Sequence, residues 1–133
     1  MKKTGILNAN LSRIVATMGH TDHLVVCDSG FPIPAGKEVV DLALTTNVPR
    51  FLETLRVILG ELQVERAVVA KEMSERSNGV YTDVHRLLSE IEIDEVSHEE
   101  FKRIICGNGN TWFVRTGEAT PYANIILISG VTF

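Results

Sequence analysis

Between Leu11 and Met18 the apolar side chains Leu11, Ile14, Val15 and Met18 recur at helical spacing, so the segment has one apolar and one polar face. Asn8 or Asn10 can cap its start, and Gly19 stands where a left-handed residue would close the helix. The pattern then changes. Leu24-Val25-Val26-Cys27 is a short, continuous, largely β-branched run, which reads as a buried strand. Asp28-Ser29-Gly30 stops it, and Phe31 to Gly36, punctuated by Pro32 and Pro34, is a loop. A second strand is expected over 38–44. Asn47 and Pro49 mark another helix start, with Phe51, Leu52, Leu55, Ile58, Leu59 and Leu62 as its buried face. Residues 66–70 read as a strand, 79–91 as a helix carrying Val80, Val84, Leu87, Leu88 and Ile91, and 93–96 as a short strand. Ser97-His98-Glu99-Glu100 is a capping-box sequence that opens a helix to about Ile105. After a turn at Gly107-Asn108-Gly109-Asn110 the chain returns to strands over 111–115 and 123–128.

Strands alternating with helices predict an α/β protein, here a single three-layer α/β/α domain over residues 1–133 with a central mixed sheet. Two domains would leave each core too small. In open α/β sheets ligands bind beyond the carboxyl ends of the strands, which directs attention to Asp28, His98 and the segment after Arg115.

Charge narrows the partners. Lys plus Arg number 13 against 17 for Asp plus Glu, a net charge of -4 that lacks the basic footprint of a nucleic-acid binder. Two cysteines, Cys27 and Cys106, make neither a disulfide framework nor a four-thiolate zinc site, and a reduced, cytoplasmic setting is expected. Asn8, Asn10 and Arg13 interrupt the apolar run after the basic start, and no stretch approaches the ~20 apolar residues of a membrane span. Membrane insertion is not expected.

Four places hold candidate chemistry. His20, in the polar loop Gly19-His20-Thr21-Asp22-His23, can exchange a proton, or can simply satisfy carbonyls at a helix end. Asp28, at the end of a strand, can orient a histidine, accept bonds from sugar hydroxyls, or form an Asx-turn with Ser29-Gly30. His98 can project from a helix N-terminus into a site or stand exposed there. Tyr122-Ala123-Asn124 follows a polar loop longer than a hairpin needs. It offers an aromatic face, a hydroxyl and an amide, the mixed set that recognises polyols, or else a buried Asn beside an edge Tyr. His20, Asp22, His23 and Asp28 lie close in sequence, but a His-x-x-His on a loop is a weak metal signal. No P-loop, dinucleotide fingerprint or nucleophile elbow is present.

Taken together, four ordered blocks resemble the D-ribose pyranases of the ribose-transport system, whose near relatives are the fucose mutarotases. The blocks are Lys3 to Leu11; Met18-Gly19-His20-Thr21-Asp22 with Asp28-Ser29-Gly30-Phe31-Pro32-Ile33-Pro34; Ser97-His98-Glu99-Glu100-Phe101-Lys102; and Arg115-Thr116-Gly117-Glu118 with Thr120-Pro121-Tyr122-Ala123-Asn124. The resemblance implies interconversion of the pyranose and furanose rings of D-ribose, without cofactor or metal. It implies His20 as proton donor, and Asp28, His98, Tyr122, Ala123 (through its backbone) and Asn124 as substrate-binding residues. It also implies a ring-shaped homo-oligomer, pentamer or decamer, with sites near subunit interfaces. Gly30 and Ala123 stand where fucose mutarotases resemble one another in carrying His and Gly, which favours ribose. Phe31 replaces an expected Leu and would narrow the pocket.

Overall fold

The β-branched run after His23 forms β1 (His23–Cys27), and its last four residues are buried on both faces. A computed structural model describes residues 1–133. The other strands are β2 (Val39–Asp41), β3 (Val64–Ala70), β4 (Glu92–Val96), β5 (Thr111–Arg115) and β6 (Ile125–Ser129). They build one six-stranded sheet in the order β2-β5-β1-β6-β3-β4. β5 runs parallel to both β1 and β2, and β3 runs parallel to β4. β6 is antiparallel to both its neighbours, β1 and β3. The sheet is therefore mixed, and β1 to β5 all end at one edge while β6 begins there.

Alternation of side chains along the strands divides the interior into two cores. Leu24, Val26, Ala67, Val69, Val114, Ile125 and Leu127 face one way. They are covered by α1 (Ala9–Thr17), α2 (Phe51–Leu59), α3 (Glu72–Arg76) and α4 (Asn78–Leu87) through Leu11, Ile14, Phe51, Leu55, Ile58, Met73 and Val84. Val25, Cys27, Val68, Phe113 and Ile126 face the other way, beneath Phe101 and Ile105 of α5 (His98–Ile105) and the ring of Phe31. The result is three layers with an uneven share of helix. No helix is long and apolar enough to cross a membrane.

Several boundaries differ from the sequence reading. Asn8 does cap α1, its side chain accepting from Leu11 N at 2.9 Å. Gly19 is not left-handed, however: the helix leaves through extended Met18, and the positive φ (68°) falls on Thr21. The strand expected over 38–44 is only Val39–Asp41, because Leu42 onward turns away into a loop closed by the Thr45–Val48 bridge. α2 starts beyond Pro49 and ends before Leu62, which packs from the following turn. α3 has no apolar stripe, only Met73 being buried, and escaped sequence detection for that reason. Ala123 and Asn124 precede β6 rather than belonging to it.

Candidate active site

Four loops meet where β1, β3, β4 and β5 end. Together they enclose a cavity of ≈ 600 Å³ whose wall includes Asp28, Phe31, Arg76, His98, Tyr122 and Asn124. Each is carried by a strand end or the element that follows it, so the sheet holds them in place while the loops supply the chemistry.

Asp28 and Asn124 form the best-defined contact. The Asn124 side chain is 2% exposed; its Oδ1 accepts from Asp28 N at 2.9 Å, and its Nδ2 donates to Asp28 Oδ2 at 3.0 Å. Gly30 N donates to the other carboxylate oxygen at 3.0 Å. Burial nevertheless raises the Asp28 pKa above its ordinary value, against the Asn124 and Gly30 hydrogen bonds and the attraction of His98. The turn reading of Asp28 is thus realised, and the residue also lines the cavity. One oxygen closes the turn to Gly30, and the other is fixed by the amide at the cavity wall.

His98 begins α5. Ser97 caps that helix through a bond from Glu100 N to its Oγ (3.1 Å), while Glu72 of α3 accepts from His98 N at 3.1 Å. The imidazole is wedged edge-on against Tyr122 (centroids 5.2 Å apart, 90°) and Phe31 (6.3 Å, 88°), with Phe101 stacked behind at 6.3 Å. Its Nδ1 is buried without a hydrogen-bond partner. The His98 side chain as a whole belongs to the cavity wall. Phe31 is mainly a core residue, 7% exposed, whose edge orients His98.

Tyr122 adopts φ +61°, uncommon for a bulky residue, and Asn124 N donates to its carbonyl at 2.8 Å. This tight bend turns Tyr122 and Asn124 toward the cavity while the Ala123 methyl, 0% exposed, enters the core of the four-helix face. Ala123 does not line the cavity. The same loop is anchored by Glu118, a residue missed in the sequence although it is a charged residue in a strand-to-strand loop. Glu118 is 2% exposed and accepts from Phe51 N (3.0 Å), Arg50 Nη2 (3.1 Å) and Nε (3.3 Å), and Thr120 Oγ1 (2.7 Å). Burial pushes its pKa up, but the bonds from Thr120, Phe51 and Arg50 prevail and hold it below the usual carboxylate value. Arg76 was also missed: it lies at the end of α3, exposed, lining the cavity with no ion pair.

His20 is elsewhere. It sits before β1, at the edge opposite Asp28, and four strand steps of ~3.3 Å separate the ends of β1 by roughly 13 Å. Its Nε2 is 2.9 Å from a carboxylate oxygen of Glu65, at the start of β3. Asp28 therefore does not orient His20 within one chain. His20, Asp22, His23 and Asp28 do not converge, and no group of three or more His, Cys, Asp or Glu side chains is arranged to hold a metal ion.

Residues 1–132 match the model of the RbsD / FucU transport protein family. A D-ribose pyranase from Coprothermobacter proteolyticus is 55% identical over 133 residues, with both chains fully covered. Another, from Laribacter hongkongensis, is 50% identical with the same coverage. The structure of Bacillus subtilis RbsD complexed with D-ribose superposes with a TM-score of 0.94 at 43% identity, covering 100% of each chain. Motif order, sheet topology and full-length similarity agree: the chain belongs to the RbsD / FucU family.

Proposed function

We propose that this protein is a D-ribose pyranase, an isomerase that interconverts the pyranose and furanose rings of D-ribose. The observation that carries the reading is the Asp28–Asn124 clasp beside the unpartnered His98 Nδ1, in a chain fully alignable with ribose pyranases. A cyclic aldose is a hemiacetal. Changing its ring size requires a base for the anomeric O–H, an acid for the departing ring oxygen, and reclosure through another hydroxyl. Asp28, its pKa raised by burial, is suited to take the anomeric proton. His98, Tyr122 and Asn124 hold the hydroxyls, with Ala123 shaping the bend between the last two. His20 is the acid.

Because His20 and Asp28 lie at opposite edges of the sheet, His20 acts in the cavity of a neighbouring copy. A cyclic homo-oligomer, pentamer or decamer, satisfies that requirement for every site at once. The exposed apolar side chains Leu7 and Leu44, at 70% and 81% exposure, are available for such contacts. The working compartment proposed is the cytoplasm, in keeping with free Cys27 and Cys106.

NMR saturation transfer on equilibrated D-ribose tests the reading. Protein-dependent transfer between pyranose and furanose signals, insensitive to EDTA and weaker for L-fucose, is the expected result. Folded protein that binds ribose without accelerating transfer would make it a sugar-binding protein instead.

A further inference from the structure

Glu65 has an unusual place in the sheet. In the β3–β6 ladder Val64 pairs with Ser129 and Arg66 with Ile128, so two steps on β3 answer one on β6, and Glu65 is the extra residue of a bulge. A bulge re-aims the side chain it carries. This one aims Glu65 at His20, with Oε2 2.9 Å from Nε2. Room for the carboxylate depends on Gly130, where a Cβ would lie 3.0 Å from Glu65 Cβ, 3.3 Å from its backbone N and 3.5 Å from Oε2.

The histidine is held just as deliberately. Asp22 Oδ2 accepts from Gly19 N at 2.8 Å, and Asp22 Oδ1 accepts from Asn110 Nδ2 at 3.1 Å. Thr21 N donates to Ser129 O, and Ser129 N to Asp22 O, both at 2.9 Å. Thr21 takes up the left-handed φ of 68° that this loop requires. His20 and Glu65 are nevertheless 53% and 42% exposed, so their contact contributes little to stability. A bulge, a glycine and a strained loop converging on an energetically minor surface pair indicate a role other than holding the fold.

We infer that Glu65 is the positioning residue for His20: it accepts the Nε2–H bond and so leaves Nδ1 as the nitrogen that exchanges the proton with the sugar. The inference rests on the ring-exchange reading above. In the neutral ring Nε2–H donates to Glu65 and Nδ1 carries the lone pair; in the charged ring Nδ1–H is the free acid. Nδ1 gives its proton to the ring oxygen as the C1–O bond breaks and the bonding pair goes to that oxygen. The anomeric hydroxyl loses its proton to Asp28 as C1=O forms. When a different hydroxyl adds to C1, its proton returns to Nδ1 and the carbonyl oxygen recovers the proton from Asp28, so both side chains end as they began.

Long-range proton–nitrogen NMR on the whole protein reads the tautomer without any turnover, His20 being assigned by its loss in His20→Ala. The Nε2–H tautomer is expected in the native protein, and a mixture in Glu65→Gln, whose amide can donate as well as accept. Saturation transfer should show kcat falling about tenfold in Glu65→Gln with KM within about twofold. A native Nδ1–H tautomer, or a kcat in Glu65→Gln equal to that of the native protein, would overturn the inference. Absence of exchange in the native protein would instead remove the ring-exchange reading, and is seen before any variant is made.

Discussion

The substitution Asn124→Asp changes one donor into one acceptor at the most constrained contact of the cavity. The new carboxylate would still accept from Asp28 N, but the Nδ2–H that now donates to Asp28 Oδ2 at 3.0 Å would be replaced by a second carboxylate oxygen. At that distance and an effective dielectric of ~20, two charges repel by roughly 5 kcal/mol. Screening through the open cavity leaves about half of this, or ~2 pH units of upward shift for the pair. Raised carboxylate pKa values contribute stability that is present below the unfolded value, about 3.9, and is lost as pH rises through the folded values. The variant should therefore be less stable than the native protein by about 3 kcal/mol at pH 8, and the deficit should shrink by about 2 kcal/mol at pH 4.5, where one carboxyl keeps a proton and donates it to the other. Thermal unfolding at fixed protein concentration reads this as a difference in Tm of about 9 °C narrowing to about 3 °C. A deficit equal at both pH values would show that the Asp28–Asn124 bond is not the one drawn here.

Three further outcomes follow from the same geometry. Glu118→Gln leaves one acceptor for five donor bonds from Arg50, Phe51 and Thr120, and should cost about 2–3 kcal/mol at pH 7 in denaturant unfolding. Because the Glu118 pKa is depressed, its contribution is present above the ordinary value of 4.5 and lost as pH falls through the folded one, so the variant should have a shallower acid limb. An unchanged limb would contradict the assignment. His98→Phe keeps the packing against Phe31, Phe101 and Tyr122 but removes the free Nδ1; calorimetry should show ribose binding about tenfold weaker with stability altered by less than ~1 kcal/mol. His20→Ala, at an exposed position, should leave Tm unchanged while exchange falls by ~10²–10⁴-fold.

The sheet was legible in the sequence wherever side chains are buried on both faces. Leu24 to Cys27 and the run beginning at Ile125 are continuous apolar stretches because helices cover the sheet on both sides. Asp28, Tyr122 and Asn124 were found because they flank such stretches, and His98 because it follows Ser97 at a helix start beyond the short strand β4. What stayed hidden depends on contacts distant in sequence. Glu118 receives the N–H of Phe51, 67 positions away, and nothing local in Arg115-Thr116-Gly117-Glu118 marks that bond. Gly117 allows the approach, since a Cβ there would lie 2.4 Å from Val48 O. Arg76 ends a five-residue helix with a single buried residue, too short to generate a period. The separation of His20 from Asp28 was implicit in the strand read between them, Leu24 to Cys27, whose two flanks lie at opposite edges of the sheet. The Glu65–His20 contact, 45 positions apart, arises from a one-residue bulge that periodicity does not register.

The proposed ring-exchange site takes Asp28 from one copy and His20 from another. Mixing inactive His20→Ala and Asp28→Asn proteins, dissociating and reassembling them, and measuring saturation transfer on D-ribose tests it most directly. If neighbouring copies share the site, random reassembly leaves about a quarter of the sites with both native residues, and exchange should return to about that fraction of the native rate. If the reassembled mixture is as silent as either variant alone while mixed oligomers are demonstrably present, His20 does not act across the interface and the account is wrong.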